Sequence, residues 1–465
     1  MYMKKILAFL LFLLCVPAQS AQVVNVEYIH NAIRQKWGVM VPYNSELTNP
    51  RVVANMKYLL TAVDVANEIL NGGRLTDYGN GEYATMVAVD TIATDTAVDR
   101  LIVKDDTDYK LILTHSYIAD MRDPNSLIMI SAAGTYHIDW GDGVKEVIEK
   151  EAVGEQWFGH NYASDGEYIV RIGGQATEYS NDPDLSTVQL GTFVENDFGA
   201  APLLGLTDID GCLGCVFPTL EDGSQPRFID TFADAYDLFV DIPSGLFAGI
   251  RGAPVNNMFK GTFYFAAITS IPADLFAGIQ GPPAESMFER TFSATYIESI
   301  PAGLFAGIQG PPAKRMFAGT FTEGYTESIP ENLFAGIQGP PAESMFEGTF
   351  SANFNLTSIP ENLFAGIQGP PAERMFEATF NANVNLTSIP ENLFAGIDTT
   401  KSLQDYSFQD TFASCYNLTG PSARINGRYL YEIWPDAEAY QVGRMYYEAT
   451  GLDDYADIPD KWKSY

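Results

Sequence analysis

Cysteine, histidine and basic residues are scarce in this sequence of 465 residues. Its four cysteines are too few for the disulfide framework of small secreted domains. Its four histidines show no metal-ligand spacing. Lysine and arginine total 27 against 59 acidic residues, and such a surface repels nucleic acid and anionic membranes. We therefore expect no cofactor, no metal and no nucleic-acid partner; the charge either only keeps the protein soluble or attracts cations.

Long apolar runs are absent beyond the N-terminus, so we predict no membrane span. At the N-terminus, Lys4 and Lys5 precede an apolar run over 6–16 and small or polar residues over 17–21. This order is typical of a secretory signal peptide over 1–21, and predicts an exported protein that is extracellular, cell-surface or periplasmic. A lipid anchor on Cys15 is the alternative, although the bulky Leu14 stands where lipoprotein signals carry a small residue.

A repeat of 29 or 30 residues dominates 227–420. Ile-Pro recurs from Ile242 to Ile389, and each pair leads to Leu-Phe-Ala-Gly-Ile. A second motif, Phe-x-x-Thr-Phe, begins at Phe228, Phe259, Phe288, Phe317, Phe346, Phe376 and Phe408. One unit cannot bury all its apolar residues alone, so neighbouring units must cover one another.

Local signals within a unit predict short helices and a strand. Pro330 followed by Glu-Asn-Leu-Phe predicts a helix with Pro at its first position, which the Gly of Ala-Gly-Ile would end. Gln-Gly-Pro-Pro predicts a turn, and residues 342–346 a second short helix. Residues 356–359 are the predicted strand, and one strand per repeat would form a parallel ladder with a spacing of about 4.8 Å.

The segment 350–360, which has the pattern Phe-x-x-Asn-x-x-Leu-x-x-Ile-Pro, resembles the leucine-rich repeats of bacterial surface proteins of the BspA type. The last unit follows it with Phe-x-x-Cys-x-x-Leu over 412–418. The resemblance implies that the Asn or Cys side chain points inward and satisfies backbone groups at a turn. These residues are Asn353, Asn383 and Cys415. Ala235 and Gly324 stand at the matching place, so their units must close the turn differently.

Short alternating segments predict strands between residues 126 and 174. Ile-Asp-Trp-Gly-Asp-Gly at 138–143 and the segment from His160 to Tyr168 resemble the signature of a polycystic-kidney-disease (PKD) domain. That family is a small immunoglobulin-like β-sandwich that serves as an extracellular spacer or adhesion module, and the resemblance implies a structural role for His160. Asp139 and Asp142 suit either a cation site or turns in which Asp accepts hydrogen bonds from nearby amides; the resemblance favours turns.

Two further segments have ambiguous chemistry. Apolar residues at helical spacing over 25–37 and 51–70 predict a helical N-terminal segment, which is either a docking module or a plain helical domain. Cys212-Leu-Gly-Cys215 is compatible with a redox pair, but its position just ahead of the repeats favours a capping turn. Asp208 and Asp210 form only a fragment of a calcium loop.

The predicted fold is multi-domain, with a helical segment, a PKD-like β-sandwich and an α/β leucine-rich-repeat-like solenoid with caps. The predicted boundaries are 1–21 signal peptide, 22–109 helical segment, 110–175 PKD-like sandwich, 176–226 linker and N-terminal cap, 227–420 repeats and 421–465 C-terminal cap.

The stretch between Phe-x-x-Thr-Phe and Ile-Pro varies among repeats and is the candidate interaction surface, unless its variation is neutral drift in loops. Its aromatic residues are Tyr264, Phe265, Tyr296, Tyr325, Phe354 and Tyr416. We expect a secreted or cell-surface binding or scaffold protein and no enzyme. A glycan-binding adhesin, whose tyrosines would stack on sugar rings, is the alternative. An enzyme would need its site in the N-terminal segment, because neither recognised module carries a nucleophile, base and orienting group in motif form.

Overall fold

The computed structural model describes residues 76–77, 83–84, 109–117, 125–193, 206–235 and 241–464. The chain divides into two compact units, 1–108 and 109–465. In the first unit, β1 (Thr76–Asp77) pairs antiparallel with β2 (Tyr83–Ala84). The predicted signal peptide, Cys15 and the helices predicted over 25–37 and 51–70 lie outside the described residues.

Two antiparallel sheets occupy residues 109–211 of the second unit. Their strands are β3 (Tyr109–Tyr117), β4 (Asn125–Ile130), β5 (Ala133–Asp139), β6 (Lys145–Lys150), β7 (Gln156–His160), β8 (Gly166–Glu178), β9 (Val188–Phe193) and β10 (Leu206–Gly211). One sheet has the order β10-β3-β8-β5-β6, and the other has the order β7-β4-β9. All neighbouring strands in both are antiparallel.

Alternation along the strands places apolar residues of both sheets in one hydrophobic core. Its members include Leu111, Ile128, Tyr136, Ile138, Val170, Ile172, Val188 and Ile209. Tyr136 is fully buried, and its hydroxyl lies 3.2 Å from the carbonyl oxygens of Ala132 and Ala133. A buried tyrosine hydroxyl needs such an acceptor, and this one is satisfied at the start of β5.

A short helix, α1 (Leu213–Val216), connects the sheets to the repeats. A disulfide joins Cys212 to Cys215 across it. The backbone N–H of Gly214 donates to the Leu246 carbonyl in the first repeat at 2.9 Å. A Cβ on Gly214 would come within 2.9 Å of the Phe247 backbone, so only glycine allows this approach. The position of α1 agrees with the predicted capping turn, whereas the disulfide was not expected from the small number of cysteines.

The repeats consist of turns, and the predicted α/β solenoid fold is wrong. Within the described part of 227–420 no residue lies in a helix or strand, and β-pairing between repeats is limited to isolated bridges such as Gly310 with Ile337. The segments after Pro330 and over 342–346 are turns, and 356–359 has no regular structure. The described residues therefore form small antiparallel sheets and turns with few helices, and they include no helical N-terminal segment.

A positive φ at every fourth residue explains why the Phe-x-x-Thr-Phe segment does not become a helix. In one repeat Asn257, Gly261 and Phe265 have φ values of 59°, 61° and 56°. The backbone donors alternate: Lys260 bonds to the carbonyl of Asn257 at 3.2 Å, whereas Gly261 bonds to Glu289 of the next repeat at 2.8 Å. Alternate N–H groups are thus satisfied by the neighbouring repeat.

Phenylalanine rings form columns through the repeats. In the first column, Phe288 and Phe317 are stacked with centroids 5.6 Å apart. In the second, Phe321 and Phe350 are stacked at 5.7 Å. The Phe of Leu-Phe-Ala-Gly-Ile forms a third column, and all these rings are buried. Each buried ring stabilises the fold by about 1.5–3 kcal/mol relative to exposure, so the columns account for much of the cohesion between units.

The threonine of Phe-x-x-Thr-Phe is buried in every repeat and links it to the preceding one. Thr231 Oγ1 donates to the Val188 carbonyl in β9 at 2.8 Å. The same bond recurs in each following repeat, up to Thr411 and the Phe376 carbonyl at 3.0 Å. This series of hydrogen bonds therefore starts on a strand of the three-stranded sheet.

Asn353, Asn383 and Cys415 are fully buried and bond to backbone groups, as expected. Asn353 Nδ2 donates to the Phe321 carbonyl at 2.6 Å. Cys415 Sγ lies 3.1 Å from the Phe380 carbonyl. A Cβ on Gly324 would approach Asn353 Oδ1 to 2.8 Å, so the asparagine of the following unit fills the space at this glycine.

The C-terminal segment continues the second aromatic column with other residue types. Its elements are β11 (Arg424–Ile425), β12 (Arg428–Tyr429), α2 (Leu430–Ile433), α3 (Ala439–Val442) and a 3₁₀ helix (Asp460–Trp462). Tyr446 stacks on Phe412 at 6.2 Å, and Trp462 stacks on Tyr446 at 6.4 Å. These buried rings cover the last repeat.

Candidate interaction surface

Four of the predicted surface residues occupy one equivalent position in four repeats, directly after the inward-facing position. They are Tyr296, Tyr325, Phe354 and Tyr416, with exposed fractions of 43%, 42%, 47% and 52%. We call these four residues the aromatic strip. Val384 holds the same position in the unit between those of Phe354 and Tyr416 and is half-buried.

Alternation of buried and exposed residues orients the strip. Thr295 and Ile297 are buried on either side of Tyr296, so Tyr296 and Glu298 are exposed together. The same alternation exposes Tyr325 and Glu327 in the next unit. Each of these tyrosines is therefore followed, two residues later, by an exposed carboxylate.

The rings of Tyr296 and Tyr325 are stacked on each other. Their centroids lie 5.3 Å apart and their planes differ by 10°. Each ring therefore covers one face of the other. The two faces that meet in the stack are closed to a ligand.

The extra residue of the longer repeats is an asparagine that secures the backbone beneath the strip. Asn355 Nδ2 donates to the Tyr325 carbonyl at 3.3 Å, and Asn385 Nδ2 donates to the Phe354 carbonyl at 2.7 Å. Both asparagines are exposed at the surface. Each of these two asparagines thus fixes the main chain that carries the aromatic residue of the unit before it.

Tyr264 and Phe265, the other two predicted surface residues, lie outside the strip. Both are half-buried, and their rings meet edge to face at 4.7 Å. The Arg290 guanidinium lies 5.9 Å from the Tyr264 ring centroid. In their repeat the strip position is held by the buried Ala267, so the strip begins at Tyr296.

A separate set of side chains carries paired charges. Arg315 bonds to Glu289 through Nε and Nη2 at 3.2 and 3.1 Å, and to Glu347 through Nη1 at 3.1 Å. Lys260 lies 3.7 Å from Glu289. Burial opposes ionisation of Glu289, but the hydrogen bonds from Arg315 and Ser286 outweigh it and hold the pKa below its usual value. Glu289 therefore stays ionised.

Glu377 carries a raised pKa, in contrast to Glu289. Burial raises its pKa to about 7, the Glu347 and Asp410 charges add to the rise, and Arg374 opposes it. Arg374 Nη1 lies 2.7 Å from the Glu377 carboxylate. Glu377 thus changes charge near neutral pH, a property that its position in a repeated motif did not indicate.

The aspartates of the sheet region hold turns. The Gly141 N–H donates to Asp139 Oδ1, and the Val144 N–H donates to Asp142 Oδ1, both at 3.0 Å. These are the hydrogen bonds that the turn interpretation predicts. His160 Nε2 lies 2.7 Å from Asp142 Oδ2, which places this histidine in the same turn structure.

His115 is a titratable residue that sequence analysis missed. It lies in β3 and exposes 4% of its surface, and neither ring nitrogen has a hydrogen-bond partner among the described residues. Burial lowers its pKa to about 4, so the imidazole is neutral at neutral pH. The alternation of Leu111, Leu113 and His115 along the strand was the signal that could have placed it in the core.

Other candidate sites are weaker. No group of three or more potential metal-ligating side chains occurs among the described residues. A depression of about 720 Å³ between two repeats includes Phe305, Gln309, Asn332 and Gln338 and has no ionisable side chain in its lining. None of the helices within the described ranges is long and apolar enough to cross a bilayer.

No protein-family model matches this chain, and no curated protein or solved structure shows detectable similarity to it. The resemblances to BspA-type repeats and to PKD domains therefore rest on the quoted motifs and stay predictions.

Proposed function

We propose that this chain is a secreted or cell-surface binding protein that holds a partner protein on its aromatic strip. The observation that carries the proposal is the exposure of four large aromatic residues at one repeat position. Aromatic residues are enriched at the centres of protein interfaces, where they bury a large area with little loss of conformational freedom. The neighbouring phenylalanine columns are buried, so within the described repeats the exposed large aromatic residues are those of the strip.

The backbone beneath the strip favours binding because it is already ordered. Asn385 bonds to the Phe354 carbonyl at 2.7 Å, and the Glu327 N–H bonds to the Glu298 carbonyl at 3.0 Å. Binding a partner would then cost little conformational entropy at this surface, so more of the contact energy remains as affinity.

A glycan-binding adhesin is the second candidate, but the ring geometry supports it less. A sugar ring stacks on an open aromatic face, whereas Tyr296 and Tyr325 each cover one face of the other at 5.3 Å. Ring edges and hydroxyl groups suit the mixed apolar and polar surface of a protein.

The test compares two sets of substitutions in the exported protein. The strip variant carries Tyr296→Ser, Tyr325→Ser, Phe354→Ser and Tyr416→Ser. The control carries Tyr440→Ser and Tyr447→Ser, which replace tyrosines of 47% and 37% exposure in the C-terminal segment. We expect a partner captured from the envelope or culture fluid of the source cells to be lost by the strip variant and retained by the control.

Equal retention by both variants would contradict the proposal. Circular dichroism melts should show that both remain folded, because all the replaced side chains are exposed. A glycan array read with the same proteins decides the alternative: a glycan bound by the wild type and lost by the strip variant would establish the adhesin.

A further inference from the structure

We infer that the Tyr296–Tyr325 end of the aromatic strip binds a cationic peptide segment, with Glu298 and Glu327 as its charge partners. This inference rests on the proposed function and specifies the chemistry of the partner. It follows from the geometry of the four side chains, from the absence of ion pairs to the two glutamates among the described residues, and from the neutral residues at the matching positions of the flanking repeats.

The two glutamates lie beside the two tyrosines in adjacent units. The Glu327 N–H donates to the Glu298 carbonyl at 3.0 Å, and Ser299 and Ser328 form a parallel bridge directly after them. All four tyrosine and glutamate side chains are exposed. We call these four residues the tyrosine–glutamate patch.

Four cations of the nearby repeats contact other groups, and one of them, Arg290, lies 5.9 Å from the Tyr264 ring centroid. Lys260 and Arg315 pair with Glu289, and Lys314 lies 2.7 Å from the Glu343 carboxylate. Among the described residues, no ion pair involves Glu298 or Glu327. Glu323, exposed two residues before Tyr325, adds a third carboxylate without an ion pair in that part of the chain. The patch therefore presents negative charge that the described structure does not neutralise.

The charge is confined to these two units. At the positions of Tyr296 and Glu298, the preceding repeat has Ala267 and Thr269. In the repeat that follows Tyr325 and Glu327, the corresponding exposed residues are Phe354 and Thr357, which are also uncharged. A ligand selected by the patch needs only one or two cationic groups, close to apolar or planar surface.

Lysine and arginine side chains meet these requirements. Arginine pairs bidentately with carboxylates, stacks on aromatic rings and is weakly hydrated, so it suits a surface that offers both groups. A cation within about 6 Å of an aromatic ring gains further attraction from the ring. The formal net charge of −32 also attracts cationic segments from a distance. A neutral glycan could donate hydrogen bonds to these carboxylates but would not neutralise their charge.

The probe is a fluorescein-labelled peptide of alternating glycine and arginine, with a glycine and glutamine peptide as the neutral comparison. Binding to the exported protein is followed by fluorescence anisotropy. One variant carries Glu298→Gln and Glu327→Gln. Its matched control, Glu331→Gln with Glu361→Gln, removes the same charge from exposed positions outside the patch. A third variant carries Tyr296→Ser and Tyr325→Ser.

We expect the two patch variants to weaken arginine-peptide binding by about tenfold or more and the control by less than about twofold. Binding should also weaken as salt screens the charges. Equal weakening by the patch and control glutamines would reveal only general charge attraction and overturn the inference, as would unchanged affinity in the tyrosine variant. If the patch variants bind the peptide as well as the wild type does while the strip variant still loses the partner, this inference fails and the proposed function stands. If the peptide needs the patch while partner capture ignores the strip, the proposed function fails instead.

Discussion

The backbone N–H of Asn353 donates a hydrogen bond of 2.8 Å to the side-chain oxygen of Asn383, in the next repeat. Asn383 Nδ2 in turn donates to the Phe350 carbonyl at 2.9 Å. One buried amide therefore satisfies both a donor and an acceptor of the preceding unit, which no apolar side chain of similar size could do.

Replacing Asn383 with alanine should lower the free energy of unfolding by about 1–3 kcal/mol, because it leaves buried backbone groups unsatisfied. Asn381→Ala is the matched control, since Asn381 is only half-buried two residues earlier. Urea unfolding followed by circular dichroism measures both. Equal losses in the two variants would show that the buried amide has no special role.

Changing Cys212 and Cys215 together to serine should lower the free energy of unfolding by about 2 kcal/mol, the loop-closure contribution of a short disulfide. Partner binding should persist, because the pair closes the turn at α1. Dithiothreitol should destabilise the wild type and leave the double variant unchanged. A wild type that melts identically with and without reductant would contradict a stabilising disulfide.

Acid should destabilise the sheet region through His115. Burial lowers the pKa of His115 from the usual 6.5 to about 4, so the folded protein resists protonation more than the unfolded chain does. The stability is fully present above about pH 6.5 and falls towards pH 4, by roughly 3 kcal/mol in total. His115→Leu should remove this decline, and His137→Gln should keep it. Urea titrations across the range give the comparison, and an unchanged decline in His115→Leu would refute the assignment.

Protonation of Glu377 should stabilise the folded protein, whereas protonation of His115 destabilises it. Its pKa is raised by burial to about 7, so the folded protein binds this proton more readily than the unfolded chain does. The contribution is fully present below the usual glutamate pKa of 4.5 and is lost as the pH rises through about 7. Glu377→Gln should therefore melt higher than the wild type in alkaline buffer, and the difference should shrink in acid. Glu373→Gln, at a more exposed neighbour, should show no such convergence.

Deleting 331–360 should leave a cooperatively folding protein. The deletion joins Pro330 to Glu361 and restores Ile-Pro-Glu-Asn-Leu-Phe, so Phe305 can stack on Phe364 in place of Phe334. Deleting only 331–345 removes Phe334 and keeps Phe346. Large apolar side chains then lose their cover, and each exposed side chain lowers the free energy of unfolding by about 1.5–3 kcal/mol. Circular dichroism melts should be cooperative for the first deletion and not for the second. Similar, uncooperative melts from both would contradict the stacking of equivalent repeats.

The period of the repeats, the buried asparagines and the exposed strip could be predicted from sequence, because burial alternates in step with residue type. The turn conformation of the repeats could not be predicted from the sequence. Ser344 and Ala352 adopt positive φ although neither is glycine, and the hydrogen bonds that stabilise this backbone come from the next unit rather than from local preference. His115 was missed for a different reason: the alternation along β3 could have placed it in the core, but histidine is a polar residue type that is not expected there.

The threonine hydrogen bonds that begin at Val188 recur in the same form from unit to unit, so the number of units can change during evolution. Because each unit offers its neighbour the same donors and acceptors, unequal crossing-over between these near-identical coding segments can add or remove whole units without altering β9 or the C-terminal segment. Each added copy would insert one more strip position. The number of contact points can therefore evolve in integer steps, by gene duplication alone, before any single residue changes.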